Sequence, residues 1–220
     1  MNAGSPRARR QPAGAATKRP SGRSAAAPRL TPSERLMDTA AALFNAHGIR
    51  ATGIDSILAK AGVARMTLYR NYGNKDGLVR SVLQRESAAW LEWLDRELGC
   101  MQGTAHDRLC AYFDLLERWF AQPDFRGCSF INSVAEAPLE GDCVKPIAAA
   151  HRQASVAFLV RLLADAGVPD LADFAEQIVM LADGATVGAM ITGDIGLLRR
   201  ARAAALALMR DAAIDASRAA

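Results

Sequence analysis

The sequence predicts an all-α fold of about nine helices, with a three-helix, helix-turn-helix unit near the N-terminus and a larger helical bundle behind it. Three observations carry this. Apolar residues recur at the i, i+3 and i+4 spacing of amphipathic helices, and the segments they mark open on capping residues and close on glycines. No convincing alternating strand, internal repeat or glycine-rich strand-to-helix phosphate loop interrupts them. With 220 residues, half of them hydrophobic, the chain is long enough to bury a sizeable core.

Residues 1–30 stand apart. They hold seven Lys/Arg and no acid among Ala, Pro, Gly and Ser, with almost no large apolar residue, so burial cannot offset the entropy of ordering them. A disordered basic tail is expected: a solvated leader, the product of a misassigned start codon, or a source of nonspecific attraction to phosphates. The charge stays uneven further on: residues 31–80 carry seven Lys/Arg against four Asp/Glu, and residues 81–220 carry thirteen against nineteen. A polyanion should therefore be met by the front of the chain.

Order begins at Thr31-Pro32-Ser33-Glu34, where Thr suits an N-cap, Pro the first helical position and Glu a capping box. Leu36, Ala40, Leu43 and Phe44 then recur at helical spacing until His47-Gly48. Ile54, Ile57, Leu58 and Ala61 mark a second short helix stopped by Gly62, and a third begins after Gly62-Val63-Ala64. In that third helix Ala64, Leu68 and Tyr72 are expected to face Ile57, Leu58 and Phe44. Arg65, Met66, Tyr69 and Arg70 are expected to face outward. A cation, a thioether and a phenol on one face suit a major groove, where a guanidinium can fork to guanine and an apolar tip can meet a thymine methyl.

Asn74 is read as the N-cap of a long helix to about Leu98, with Leu78, Val82, Leu83, Trp90 and Leu94 on its buried face. Leu109 to Phe120, Phe130 to Val134, Ile147 to Leu163, 171 to 192 and 197 to 215 complete the set. The domains expected are a tail over 1–30, a helix-turn-helix unit over 31–78 and a bundle over 79–220.

Phe44 and Gly48, the Ile57 to Ala59 region, Ala61-Gly62-Val63, Thr67-Leu68-Tyr69 and Lys75-Asp76 stand in one register over about fifty positions. In this register the segment resembles the DNA-binding domain of the TetR/AcrR family of bacterial repressors. The resemblance implies a cytoplasmic homodimer that binds a palindromic double-stranded DNA operator and is released when a small-molecule effector enters the bundle. It places Thr52, Gly53, Arg65, Met66, Thr67, Tyr69, Arg70, Asn71 and Lys75 at the DNA. Tyr69 and Lys75 would meet phosphates, and Thr52 or Gly53 would do so through backbone amides. Two residues depart from the family pattern, since it usually has hydroxyl residues where Gly53 and Ala64 stand. Ala64 forgoes a side-chain cap worth about 1 kcal/mol. Tyr72 stands where Phe is more usual, a change that is tolerable if its hydroxyl reaches solvent.

Beyond residue 80 the resemblance thins. Trp90, Trp93, Phe113, Trp119, Phe130 and Phe158 are the candidate effector-pocket residues, each with the alternative of being simply core. Gly184 and Gly188 cost helix stability and invite close helix approach, so with Val187, Ile191, Leu206 and Met209 they are the candidate dimer interface. Cys128 follows a cation at a helix start, which would lower its pKa, so it is either an oxidant or electrophile sensor or a small buried residue.

No Ser/His/Asp, paired-carboxylate or nucleotide-loop constellation is present, and His47, His106 and His151 lack metal-ligand spacing, so no catalytic residue, metal or cofactor is expected. The apolar stretches 154–163 and 178–192 are interrupted by Arg161, Asp183 or glycines, so no membrane span is expected either. No signal peptide is read at the N-terminus, and the four scattered cysteines are read as reduced thiols.

Overall fold

The computed structural model describes residues 30–123, 125–137 and 143–219; the tail expected over residues 1–30 lies outside them except for Leu30. Among the described residues there are nine helices and no strand. In α1 (Pro32–His47) Thr31 Oγ1 accepts from the Glu34 amide, and the Glu34 carboxylate accepts from the Thr31 amide at 2.7 Å. This capping box occupies two of the donors that a helix start leaves open. α1 stops at Gly48, whose φ of +83° and ψ of 161° belong to glycine alone. α2 (Ile54–Ala61) and α3 (Arg65–Tyr72) follow, turned by Gly62 in the left-handed region, and α4 (Lys75–Leu98) starts on Asn74, whose side chain accepts from the Gly77 amide.

These elements close a small core. Leu36 and Ala40 of α1, Ile57 of α2, Leu68 of α3 and Leu78 of α4 are fully buried in it. Polar ties lock the same unit. Arg35 donates from Nε and Nη2 to the Ala61 and Gly62 carbonyls, each at 3.4 Å, and so serves the open end of α2. Asp38 pairs with Arg85 at 2.5 Å, joining α1 to α4. Two expectations need correcting. Tyr72 does not send its hydroxyl to solvent: the group donates to the Ser33 carbonyl at 3.0 Å and lies 2.8 Å from Ser33 Oγ, pinning α3 to α1. Ala64 is not an inward residue either, because as the N-cap of α3 it is exposed, with no side-chain cap bond.

The second part is built of α5 (Ala105–Phe120), α6 (Ser129–Glu136), α7 (Val144–Leu162), α8 (Leu171–Thr192), α9 (Gly196–Ala219) and the far end of α4. α5 opens on another capping box, Thr104 with Asp107, one turn before its apolar periodicity begins. Leu94, Leu109, Phe113, Leu159, Ile178 and Leu198 bring five helices into one core. α4 serves both cores, with Leu78 and Val82 in the first and Leu94 and Leu98 in the second. α4 is thus the helix that the two cores have in common. Among the described residues α8 is long and apolar enough to cross a membrane, despite its interruptions at Asp183 and the glycines. It packs between α7 and α9 with Phe174, Ala175 and Ile178 buried, so much of that apolarity belongs to the bundle core.

Candidate nucleic-acid interface and ligand cavity

α3 is rooted by Leu68 and presents its other side to water. Met66 is 71% exposed and Tyr69 42% exposed, large apolar surface that no neighbour covers. Arg65 and Arg70 lie on the same exposed side. The Arg65 guanidinium pairs with Asp55 at the start of α2; a hydrogen bond with the Tyr69 hydroxyl first, and the Asp55 charge second, push its already high pKa further up. Thr67 is half-buried, and Asn71 Nδ2 donates to the Thr67 carbonyl at 2.7 Å, so part of Asn71's hydrogen-bonding capacity goes to its own helix. Gly53 is the exposed N-cap of α2 and brings no side chain to its amides. Thr52 is buried, and its hydroxyl donates to the Gly48 carbonyl at 2.7 Å, so its side chain shapes the α1–α2 loop. Lys75 Nζ donates to the Ile49 carbonyl at 2.6 Å, bracing the same loop against the start of α4.

The bundle holds a cavity of about 770 Å³ that is partly open to solvent. Trp90 and Trp93 of α4, Trp119 of α5 and Phe130 of α6 line it. The ring centroids of Trp90 lie 5.0 Å from Trp119 and 5.1 Å from Trp93, which makes one aromatic wall. Phe113 and Phe158 are not in that wall; both are buried in the bundle core, because they sit on sides of α5 and α7 turned toward other helices. Polar groups at the cavity were not singled out from the sequence. Glu86 lies one turn before Trp90 and two before Trp93, a spacing from which it could have been found. Burial pushes its carboxyl up, as it does for Asp183 of α8, which the nearby Arg152 pulls partly back down. Burial also pushes the Tyr112 phenol up.

Cys128 also lines the cavity, as the N-cap residue of α6. Burial pushes its thiol pKa up, with the Ile131 and Phe130 amides only partly opposing. The lowering expected from Arg126 and the helix start is thus not realised, and Cys128 is a neutral thiol at neutral pH.

His151 of α7 stacks on Phe130 with centroids 3.8 Å apart, and its Nδ1 lies 2.9 Å from Ser87 Oγ. Burial lowers its pKa to about 4. The unfolded chain takes a proton near the usual imidazole value of about 6.5 while the folded protein resists it. His151 is therefore without cost above pH 6.5 and draws stability away as the pH falls toward 4. After discounting for its partial exposure, the loss is about 2 kcal/mol. Glu86 and Asp183, with raised values, act in the opposite sense, so the measurement is a difference. Chemical denaturation between pH 7 and 4 should show His151→Gln losing less stability than the parent by that amount, and parallel curves would contradict the assignment.

α6 joins the two sites. Phe130 faces the cavity and packs in a small cluster with Val79 and Leu83 of α4, against which Phe44 and Ile49 of the first unit rest. At its far end, the Glu136 carboxylate accepts from the Arg50 amide at 2.8 Å.

On the outer side of the bundle, Ile191 is 78% exposed and Val187 37%, with Gly184 open beside them. Gly188 faces inward instead: a Cβ there would come within 2.7 Å of Leu197 of α9, so its small size serves packing within the protomer. Met209 is a core residue, contrary to its expected place at a partner, while Leu206 packs half-buried against the core with part of its surface exposed. Met180, 62% exposed and one turn before Gly184, extends the stripe unforeseen.

An outward-facing second helix of a helix-turn-helix, linked by one long helix to a bundle with its own cavity, defines the class as a two-part DNA-binding regulator. Residues 36–82 match the family described as "Bacterial regulatory proteins, tetR family". The chain is 30% identical to SCO4454, a TetR-family transcriptional regulator from Streptomyces coelicolor, with a TM-score of 0.75 over 83% of this chain and 91% of that one. It belongs to the TetR family of transcriptional regulators. The HTH-type transcriptional repressor ComR of Escherichia coli K12 is 29% identical over 126 residues, 56% of this chain; the chain thus spans 60% of that relative's length. The reduced form of E. coli NemR shares the fold alone, at 22% identity and a TM-score of 0.73 over 79% of this chain and 94% of that one.

Proposed function

We propose that the protein is a homodimeric repressor, held on a palindromic operator by α3 and released when a small molecule occupies the bundle cavity. The observation that carries this is the face of α3: Arg65, Met66, Tyr69 and Arg70 stand exposed on a helix whose opposite side is locked into a core by Leu68 and Tyr72. An apolar side chain left 71% in water, among guanidinium groups, fits base edges and methyl groups better than solvent. Tyr69 then meets phosphate, as do the first amides of α2 behind Thr52 and Gly53, while Lys75 and Asn71 exchange their present carbonyl partners for the backbone or stay as braces. Release follows the connection through α6, whose Phe130 senses the cavity while Glu136 holds the α1–α2 loop. Trp90, Trp93, Trp119 and Phe130 contact the effector, and Gly184, Val187 and Ile191 contact the partner protomer.

Selection of bound duplexes from a random pool tests this reading. It expects a palindrome with two half-sites, bound with steep salt dependence. Arg70→Ala should weaken binding to that duplex by about 10- to 100-fold, corresponding to about 1–3 kcal/mol for a base-reading arginine, and relax the preference at one position of each half-site. A protein that enriches no sequence over random duplex would refute the proposal.

A further inference from the structure

We infer that the cavity selects an organic cation carrying an aromatic or similarly apolar body, seated with its charge between the Glu86 carboxylate and the Trp90 ring. This rests on reading the cavity as the effector site. Glu86 Oε2 is buried and has no hydrogen-bond partner among the described residues, while Ser129 serves the carboxylate elsewhere. Glu86 is a lining residue of the cavity, and its Oε2 is covered by protein without a partner, which is costly; a small rotation of the side chain toward a ligand that brings a positive or hydrogen-bonding group relieves that cost.

The other charges at the cavity do not fill this role. Arg152 is committed on both sides, its Nη1 to Asp183 at 3.2 Å and its Nη2 to Glu176 at 2.7 Å. His151, with its pKa near 4, is neutral at pH 7. Lys145 lines the rim from an exposed position in the first turn of α7. Glu86, Trp90 and Trp93 meanwhile share one face of α4 at i, i+4 and i+7, and Trp119 closes on Trp90 from α5. Indole faces attract cations and stack on flat apolar groups, so the same wall accepts the charge and the body of one molecule. At about 770 Å³ the cavity has room for a drug-sized ligand.

The chain has three tryptophans, and all three line the cavity, so intrinsic fluorescence reports occupancy. The full-length protein is titrated with three probes that differ only in the head group: 4-phenylbutylammonium, 4-phenylbutanol and 4-phenylbutyrate. The ammonium probe is expected to bind about 10-fold tighter than the alcohol, with the carboxylate weakest. Glu86→Gln should remove that preference by weakening the ammonium probe while leaving the alcohol within about 2-fold, since a neutral hydroxyl draws little on the carboxylate charge. Trp90→Leu, which keeps an apolar side chain, should cost the ammonium probe more than the alcohol. Equal or tighter binding of the alcohol or the carboxylate overturns the cation inference and leaves the effector reading standing, as does a Glu86→Gln protein that keeps the ammonium preference. Absence of quenching by any probe overturns both.

Discussion

A chain carrying Val187→Glu and Ile191→Glu together is expected to be a folded monomer that binds the selected operator at least about 100-fold more weakly than the parent. Met180, Gly184, Val187 and Ile191 follow one another at i, i+4, i+7 and i+11, so they form one straight face of α8. Ile191 is 78% exposed and Val187 37%, so the substitutions remove little internal packing, most of it at Val187, and their effect on the protomer's own stability should stay within about 1 kcal/mol. In a twofold interface each new carboxylate appears twice and faces its own copy or apolar surface. Desolvating such an unpaired ion costs several kcal/mol, more than a modest interface supplies. In the proposed dimer, operator affinity would depend on dimerisation because the second head would bind at an effective concentration set by the first, worth roughly 10²- to 10⁴-fold. Sedimentation gives the mass and gel shift gives the affinity. A variant that stays dimeric with unchanged operator binding would mean that this stripe is not the partner-facing surface.

The helix boundaries were legible because their signals are local. Thr31-Pro32-Ser33-Glu34 and Gly62 act within one turn of themselves, and the structure uses them where the sequence places them. Burial on α3 was half legible: the period puts Leu68 inside, but Ala64 lies at the helix entrance, where the chain has not yet adopted helical rotation, and it is exposed. What the sequence could not convey depends on how helices rotate against distant neighbours. Phe113 and Trp119 sit on the same helix with the same hydrophobic character, yet one is core and the other cavity wall. Gly184 and Gly188 are four residues apart, yet only Gly188 is packed against α9. Cys128 shows the same limit in its chemistry. Its neighbours in sequence favour a thiolate, and burial by elements far along the chain reverses the sign. Arg35 at the end of α2 and Glu136 at Arg50 are links across 26 and 86 residues that no spacing rule announces.

Leu68→Ala is expected to abolish operator binding while the cavity still takes its ligand. Leu68 is fully buried and is the one residue of α3 wholly inside the first core. Truncating a leucine in such a place removes about 2.7–5 kcal/mol, through lost transfer energy and the cavity left behind. The unit it holds is short, from about residue 31 into α4. At about 0.05–0.15 kcal/mol per residue, some fifty residues supply only about 2.5–7.5 kcal/mol. The loss is therefore comparable with the whole stability of the head, whereas the bundle core contains none of these residues. Tyr72 and Arg35 cannot compensate, since their hydrogen bonds require α3 and the end of α2 already to be seated on α1. The tryptophans make the partition measurable, because all three line the bundle cavity and the head has none. In Leu68→Ala, far-ultraviolet circular dichroism should lose part of the helix signal at low denaturant before tryptophan fluorescence changes. Coincident transitions at the parent's midpoint would show that α3 is held by something other than Leu68.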